Sequence, residues 1–109
     1  EDEIVRILRS KVYGKFSLAD LSAELHYGTT HLCTFFREKT GKSIYQTYLK
    51  LKIDEAKYLL RDGSMSVSQI SDHLGFSSPQ YFSKRFSKLV KMPPRQYASS
   101  VREEWTTPD

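Results

Sequence analysis

The sequence repeats itself after about 49 residues, and this repeat restricts the possible folds more than any other feature. In each copy a serine, Ser17 or Ser66, precedes apolar residues at helical spacing and has a polar residue three positions later, Asp20 or Gln69. A serine in this place accepts hydrogen bonds from the free N–H groups of a starting helix. The matching positions are Leu18, Leu21, Ser22, Leu25 and Tyr27 in the first copy and Val67, Ile70, Ser71, Leu74 and Phe76 in the second. We therefore expect two similar helical units.

In both copies a turn with a glycine follows this helix and leads into a second helix. The glycine is Gly28 in the first copy and Gly75 in the second. In the second copy Ser78 and Pro79 predict the start of the new helix, because serine accepts hydrogen bonds there and proline has no N–H to satisfy. The apolar residues of the second helices, aligned at an offset of 50, are Leu32 and Phe36 with Phe82 and Phe86. This order of elements predicts a helix-turn-helix in each copy.

A longer helical pattern lies between the two copies. Ser43 and Gln46 form a capping box at its start, and Gly63 ends it after about 18 residues, or roughly 27 Å. Its apolar positions are Leu49, Ile53, Ala56 and Leu60. A short amphipathic helix is expected over residues 3–12, and a last helix over residues 94 to about 105, with Trp105 packed against the second unit.

These patterns predict an all-α protein of about seven helices. Two helix-turn-helix units, each a homeodomain-like three-helical subunit, are joined by a long linker helix. The expected division is residues 1–42 for the first unit, 43–62 for the linker helix and 63–109 for the second unit with its C-terminal helix. A chain of 109 residues is long enough for one domain, or for two very small ones that share an element.

The positive charge is concentrated in the second helix of the second copy and just after it. Residues 79–95 contain five basic and no acidic residues, whereas the rest of the chain contains 12 basic and 13 acidic residues. The whole net charge of +4 therefore comes from this segment. Phe82, Phe86 and Leu89 share one face by helical spacing, so the polar and basic side chains are expected to point the opposite way. Such a basic face is typical of nucleic-acid binding.

Other classes of function have no support in the sequence. No apolar run approaches the roughly 18 residues of a membrane span, and no apolar segment typical of a signal peptide appears in the sequence. Cys33 is the single cysteine, which excludes an intrachain disulfide, and His26, His31 and His73 have no metal-ligand spacing. No cofactor is expected, and no enzyme motif is present, so we expect no catalytic residues. The first residue is Glu1 rather than Met, which suggests a piece of a longer protein.

The second copy also carries the signature of a known family. Its residues are Gly75, Phe76, Tyr81, Phe82, Ser83, Lys84, Phe86, Pro94 and Tyr97, with Ala56, Leu59 and Leu60 in the linker helix. Over about residues 18–97 the chain resembles the DNA-binding domain of AraC/XylS-type transcription regulators. The resemblance implies that each unit inserts a recognition helix into one of two successive major-groove segments of double-stranded promoter DNA. It also implies a bacterial, cytoplasmic, nucleoid-associated protein with a missing N-terminal effector or dimerisation domain, and RNA polymerase as a further partner.

Four positions depart from the family pattern. Lys52 stands where an arginine is common, and Lys91 stands where a glycine usually ends the second recognition helix. Gly28 replaces the usual serine N-cap of the first recognition helix. Thr34 occupies a position that is often basic in the family and that is Lys84 in the second copy. The first unit is therefore expected to read bases less strongly than the second.

Candidate DNA contacts follow from the outward stripes of the two recognition helices. In the major groove, Gln can pair with adenine, Lys can donate to guanine, and a Thr methyl group can contact the methyl group of thymine. The residues expected to read bases are Gln80, Ser83, Lys84 and Ser87 in the second recognition helix and Thr30, Cys33 and Thr34 in the first. The residues expected to contact phosphates are Arg37, Ser78, Lys88, Lys91 and Arg95.

Two other interpretations stay open. A helical protein-interaction module could use the same basic helix face to bind an acidic partner. RNA binding is less favoured, because the stripe has no aromatic residues for stacking on unpaired bases. Sequence-selective protection of duplex DNA would separate DNA binding from both.

Cys33 could act as a redox switch, although a lone cysteine is more often a small packing residue.

Overall fold

The computed structural model describes the backbone of residues 2–14 and 16–106 and the side chains of residues 3–14 and 16–101. This part of the chain contains seven helices and no strand, which confirms the prediction of an all-α fold. The helices are α1 (Asp2–Ser10), α2 (Leu18–Leu25), α3 (Thr29–Thr40), α4 (Ile44–Asp62), α5 (Val67–His73), α6 (Pro79–Val90) and α7 (Pro94–Thr106). The two helix-turn-helix motifs are α2 with α3 and α5 with α6.

The chain divides into two compact units between residues 51 and 52, inside α4. The first unit has its own hydrophobic core, which consists of Ile4, Ile7, Leu8, Leu21, Leu32, Phe36, Ile44 and Tyr48. Tyr48 on α4 also holds the turn that follows α1, because its hydroxyl lies 2.8 Å from the carbonyl oxygens of both Lys11 and Gly14, which share its one proton. Burial, and then the neighbouring Tyr45, raise the pKa of Tyr48 from 10.0 to about 12, so this hydroxyl stays a donor even in moderately alkaline solution.

The second unit has a separate core, which consists of Ile53, Ala56, Leu60, Ile70, Leu74, Phe82, Phe86 and Ala98. Tyr97 ties α7 to this core. Its ring meets the ring of Phe86 edge-on at 5.6 Å, and its hydroxyl accepts a hydrogen bond from the Arg61 guanidinium at 3.2 Å. In each unit the core therefore holds one face of a helix-turn-helix and leaves the other face in solvent.

One expected core residue lies at the surface. Leu89 was predicted to share the apolar face of α6, but 48% of its side chain is exposed, and this prediction was wrong. The residue that continues the face after Phe82 and Phe86 is Val90, which packs against the second core. Leu89 lies within about 20° of Phe82 by helical spacing, but in the last turn of the helix, so the elements packed against α6, and not spacing alone, decide its exposure. The packing expected for Trp105 falls outside the described side chains.

The serine N-caps predicted from the sequence are confirmed. The Ser78 hydroxyl oxygen accepts a hydrogen bond from the N–H of Tyr81 at 3.0 Å and so starts α6. Ser66 and Gln69 form a complete capping box at the start of α5. α3 begins instead at Gly28, which has no side chain to make the cap. The two recognition helices therefore start with unequal local stabilisation.

The two recognition helices also end differently. Each ends at a residue in the left-handed region, Gly41 after α3 with φ 76° and Lys91 after α6 with φ 72°. Glycine adopts this conformation without strain, whereas a residue with a Cβ is disfavoured by about 1–2 kcal/mol. Lys91 is therefore a point of local backbone strain at the end of α6.

We predict that Lys91→Gly stabilises the protein by about 0.5–1 kcal/mol, because the strain is relieved and part of the gain is lost to chain entropy. Urea unfolding followed by circular dichroism measures this change. Gly41→Ala is the matched control and should destabilise by about 1 kcal/mol. A Cβ at Gly41 would meet no atom within 4 Å, so backbone conformation alone accounts for that loss. A lower unfolding midpoint for Lys91→Gly would contradict the prediction.

Candidate nucleic-acid interface

The clearest candidate surface is the face of α6 that points away from the second core. Phe82 and Phe86 on the opposite face are fully buried. Gln80, Lys84 and Lys88 follow one another at four-residue spacing and are all exposed. Helical geometry places side chains four residues apart on one stripe. The structure therefore brings three of the predicted contact residues onto a single outward line.

The other predicted residues of this region lie beside that line. Ser83 and Ser87 are half-buried on its flank, whereas Lys91 and Arg95 are exposed. Ser78 is half-buried, and its hydroxyl oxygen already accepts the cap hydrogen bond from Tyr81. None of these side chains is enclosed in the core, so each remains within reach of the surface.

A groove of about 590 Å³ connects this stripe to the start of α7. Its lining residues are Ser66, Val67, Ser68, Pro79, Gln80, Ser83, Pro93, Pro94 and Arg95. Gln80 and Ser83 lie on the first turns of α6, and Pro94 and Arg95 begin α7. The first turn of a helix presents N–H groups and a partial positive charge, which favour anions. The starts of three helices, α5, α6 and α7, thus share one concave surface, with Arg95 contributed by the start of α7.

Arg85 is a basic residue whose position the sequence did not reveal. Its Nε donates a hydrogen bond to the Tyr81 hydroxyl at 3.2 Å, and its guanidinium lies 5.5 Å from the centre of the Tyr81 ring. The four-residue spacing of Tyr81 and Arg85 was the signal available in the sequence. Arg85 is half-buried by this contact, so the other four basic residues of the segment provide its exposed charge.

The corresponding face of α3 carries little positive charge. Thr30, Thr34 and Arg37 are exposed, as expected for an outward stripe. Cys33 is half-buried and packs against the first core. The part of the chain that the structure describes contains no group of three His, Cys, Asp or Glu residues that could hold a metal ion.

Lys52 holds the turn between α5 and α6. Only 5% of Lys52 is exposed, and its ammonium group donates a hydrogen bond to the carbonyl oxygen of Leu74. The same group lies 5.3 Å from the centre of the Phe76 ring, within range of a cation–π interaction. The sequence marked Lys52 only as an unusual lysine. The structure shows that it stabilises the turn that positions the start of α6.

Burial lowers the pKa of Lys52 from 10.5 to about 8. The cause is desolvation, which penalises the charged ammonium more than the neutral amine. At neutral pH the second unit therefore contains a buried positive charge directly under its turn. This charge is a cost to folding, which the hydrogen bond to Leu74 and the contact with Phe76 offset in part.

Two helix-turn-helix motifs, one of them with a basic outward face, define the class of double helix-turn-helix proteins. A family model described as a helix-turn-helix domain matches residues 21–100. The chain belongs to the AraC-type family of helix-turn-helix DNA-binding domains of transcription regulators.

Known proteins of this family are similar along most of the chain. The transcriptional activator RhaR of Cronobacter sakazakii is 30% identical over 104 residues, which are 95% of this chain and 35% of RhaR. A transcriptional regulator with an AraC-type DNA-binding domain from Chromobacterium violaceum is 25% identical, with a TM-score of 0.86 over 92% of this chain and 89% of that one. The DNA-binding domain of AdpA, crystallised with a target DNA, is 22% identical and has the same fold, with a TM-score of 0.86 over 94% and 93% of the two chains.

The similarity covers only part of the curated relatives. This chain spans between 33% and 40% of the length of the first relatives. Among the described residues, no helix combines the length and the apolar character that crossing a membrane requires.

We predict that the stability contribution of Lys52 depends on pH. Because its pKa falls from 10.5 to about 8 on folding, the unfolded chain binds more protons than the folded chain between these values. The free energy of unfolding of the wild type should therefore rise, relative to that of Lys52→Met, by up to about 3 kcal/mol as the pH increases through this range.

Urea unfolding of both proteins, at pH values from about 7 to about 10, measures this difference. Other lysines and tyrosines titrate in both proteins, so their contributions cancel in the comparison. If the difference in the free energy of unfolding between wild type and Lys52→Met does not change with pH over this range, the pKa of Lys52 is not lowered as predicted.

Proposed function

We propose that this chain binds double-stranded DNA in a sequence-selective manner as the DNA-binding domain of a bacterial transcription regulator. In this proposal α3 and α6 act as recognition helices in successive major-groove segments of a promoter. The observation that carries it is the outward stripe of Gln80, Lys84 and Lys88, which lies opposite a fully buried face of α6. A major groove is wide enough to admit one α-helix. The target DNA in the AdpA structure supports the proposal through the shared fold.

α6 is the main reader of sequence in this proposal. Gln80 lies in the first turn of the helix, where helix-turn-helix proteins contact base edges, and its amide can pair with adenine. Lys84, one turn later, can donate to the O6 and N7 atoms of guanine. Ser83 and Ser87 flank the stripe, and their hydroxyl groups can reach either base edges or phosphates.

The phosphate contacts come from residues around the end of α6 and the start of α7. Lys88, Lys91 and Arg95 are exposed, and Arg95 lines the groove beside Gln80. Ser78 can donate its hydroxyl proton to a phosphate while its oxygen caps the helix. Phosphate neutralisation releases counterions, so it adds affinity without adding sequence information.

α3 plays the smaller part. Thr30 and Thr34 offer methyl groups to thymine, Arg37 can reach a phosphate, and Cys33 contributes mainly through packing, since it contacts the first core. The first unit then adds shape and apolar contacts more than hydrogen-bonded readout.

The chain is proposed to be one part of a longer regulator. This agrees with its span of 33–40% of the curated relatives. Residues 1–42 and 63–109 would form the two DNA-binding subdomains and residues 43–62 the linker helix. An N-terminal effector or dimerisation domain and contact with RNA polymerase complete the proposal, with the whole protein in the cytoplasm near the nucleoid.

Selection from a library of randomised duplexes tests the proposal. We expect the 109-residue chain to enrich one sequence class and to protect it from nuclease digestion in the presence of random competitor DNA. Binding should weaken with salt, with a slope of about −3 to −4 in log K against log salt, because about four basic side chains contact phosphate or groove. The alternative, a protein-interaction module for an acidic partner, predicts the same salt response without enrichment of any duplex. Failure to prefer any duplex would therefore count against DNA regulation.

We predict that Lys84→Ala and Thr30→Ala weaken binding by unequal amounts. Loss of the Lys84 contact to guanine should weaken binding to the selected duplex by about tenfold or more. Loss of the Thr30 methyl contact should cost less than about threefold, because one apolar contact is worth about 1 kcal/mol or less. Fluorescence anisotropy titration measures both values, and the unfolding midpoints of the variants control for folding. An equal or larger loss for Thr30→Ala would contradict the assignment of α6 as the main reader.

A further inference from the structure

The internal repeat places an acidic residue of α3 at the position of a basic residue of α6. The offset of 50 that aligns the buried residues Phe36 and Phe86 also aligns Glu38 with Lys88. Both side chains are exposed. The two recognition helices thus present opposite charges at corresponding points.

The carboxylate of Glu38 belongs to the outward stripe of α3. Thr30, Thr34 and Glu38 follow at four-residue spacing and are all exposed, whereas Leu32 and Phe36 on the other side are buried. Among the described residues, no hydrogen bond or ion pair engages the Glu38 side chain. The negative charge is therefore available to any molecule that contacts this face.

Two basic residues flank Glu38 in the sequence. Arg37 lies on the same outward face but, among the described residues, makes no ion pair with Glu38. The ammonium group of Lys39 lies 5.9 Å from the centre of the Phe35 ring, a quarter-turn or more away from the line of Thr30 and Thr34. The order Glu38–Lys39 thus places the carboxylate on the outward stripe and the ammonium group beside Phe35, away from that stripe. The reverse order would make the outward faces of α3 and α6 alike in charge.

A carboxylate on this stripe has two effects on a bound duplex. It is repelled by phosphates, which lowers affinity for every sequence. In the major groove it can accept a hydrogen bond from the N4 amino group of cytosine, which restores affinity only where that base is present. Repulsion from mismatched sites, combined with attraction to the right site, is a general route to specificity.

We propose that Glu38 is a specificity-determining residue of α3, which disfavours non-cognate duplexes by charge repulsion and accepts a hydrogen bond from cytosine in the cognate site. The proposal rests on the DNA-binding function proposed above. It adds to that function a discriminating role for the unit that contributes less affinity.

The test compares dissociation constants for two duplexes, the one that the wild-type chain selects and a shuffled version of equal composition. Glu38→Gln keeps the size of the side chain and removes its charge. We expect it to bind the shuffled duplex about fivefold more tightly and the selected duplex no more tightly than the wild type, so that discrimination falls by about fivefold. A selection with Glu38→Ala, which removes the acceptor oxygens as well as the charge, should lose a cytosine preference at one position of the enriched sequence.

Two control variants separate position from net charge. Glu24→Gln removes the same charge from α2, where the carboxylate pairs with Lys11 in the turn after α1 at 3.8 Å, and should leave the discrimination ratio unchanged. The double variant Glu38→Lys with Lys39→Glu keeps the net charge and reverses the order. It should bind the shuffled duplex more tightly than Glu38→Gln does.

The outcomes are distinct. If the wild type and Glu38→Gln discriminate between the two duplexes equally well, the proposed role of Glu38 is overturned. The DNA-binding function is then still supported. The same holds if Glu38→Gln tightens binding to both duplexes by one factor, or if selection with Glu38→Ala enriches the same cytosine. A wild type that enriches no duplex contradicts the DNA-binding function, and the role of Glu38 with it. Exposed Glu38 makes no packing contact that folding needs, and the unfolding midpoint of each variant verifies this.

Discussion

Each recognition helix is oriented by fully buried phenylalanine, Phe36 in α3 and both Phe82 and Phe86 in α6. Burial of such a side chain stabilises a small unit by about 2–3 kcal/mol, and its removal leaves a cavity that costs more. Because a helix is rigid, burial of one face also determines which side chains face outward. The stripe of Gln80, Lys84 and Lys88, and its counterpart in α3, therefore depend on these core contacts.

The two units share this arrangement of a buried and an exposed helix face, but they differ in the caps and the exposed charges of their recognition helices. α6 has a serine N-cap and ends at a strained Lys91, whereas α3 begins and ends at glycines, Gly28 and Gly41. In the second unit the Ser78 cap stabilises the start of α6, whereas Lys91 adds a positive charge at its end together with some backbone strain. α3 has a relaxed C-terminal end and an outward face whose charged residues, Arg37 and Glu38, are of opposite sign. Under the proposed function the second unit supplies most of the affinity and base reading, and the first unit adds discrimination through Glu38.

Lys52 shows how a residue far from the outward stripe takes part in its geometry. Its buried ammonium group links α4 to the carbonyl oxygen of Leu74 and to the ring of Phe76, at the turn that leads into α6. A neutral side chain would avoid the desolvation cost but could not donate this hydrogen bond. The lowered pKa of about 8 reflects the desolvation of this charge, which accompanies the hydrogen bond that stabilises the turn. No local pattern around Lys52 predicts it, because both partners lie more than twenty residues away.

The sequence by itself determined the seven helices, their serine caps and the repeat, because these depend on neighbours within four residues along the chain. It also determined that Gln80 and Lys84 lie opposite Phe82, since helical spacing alone relates them. Only the tertiary structure decided which borderline residues are buried: Leu89 is exposed, Cys33 packs against the first core and Lys52 lies inside the second unit. Spacing gives the faces of a helix, but the width of the buried face depends on the elements that pack against it.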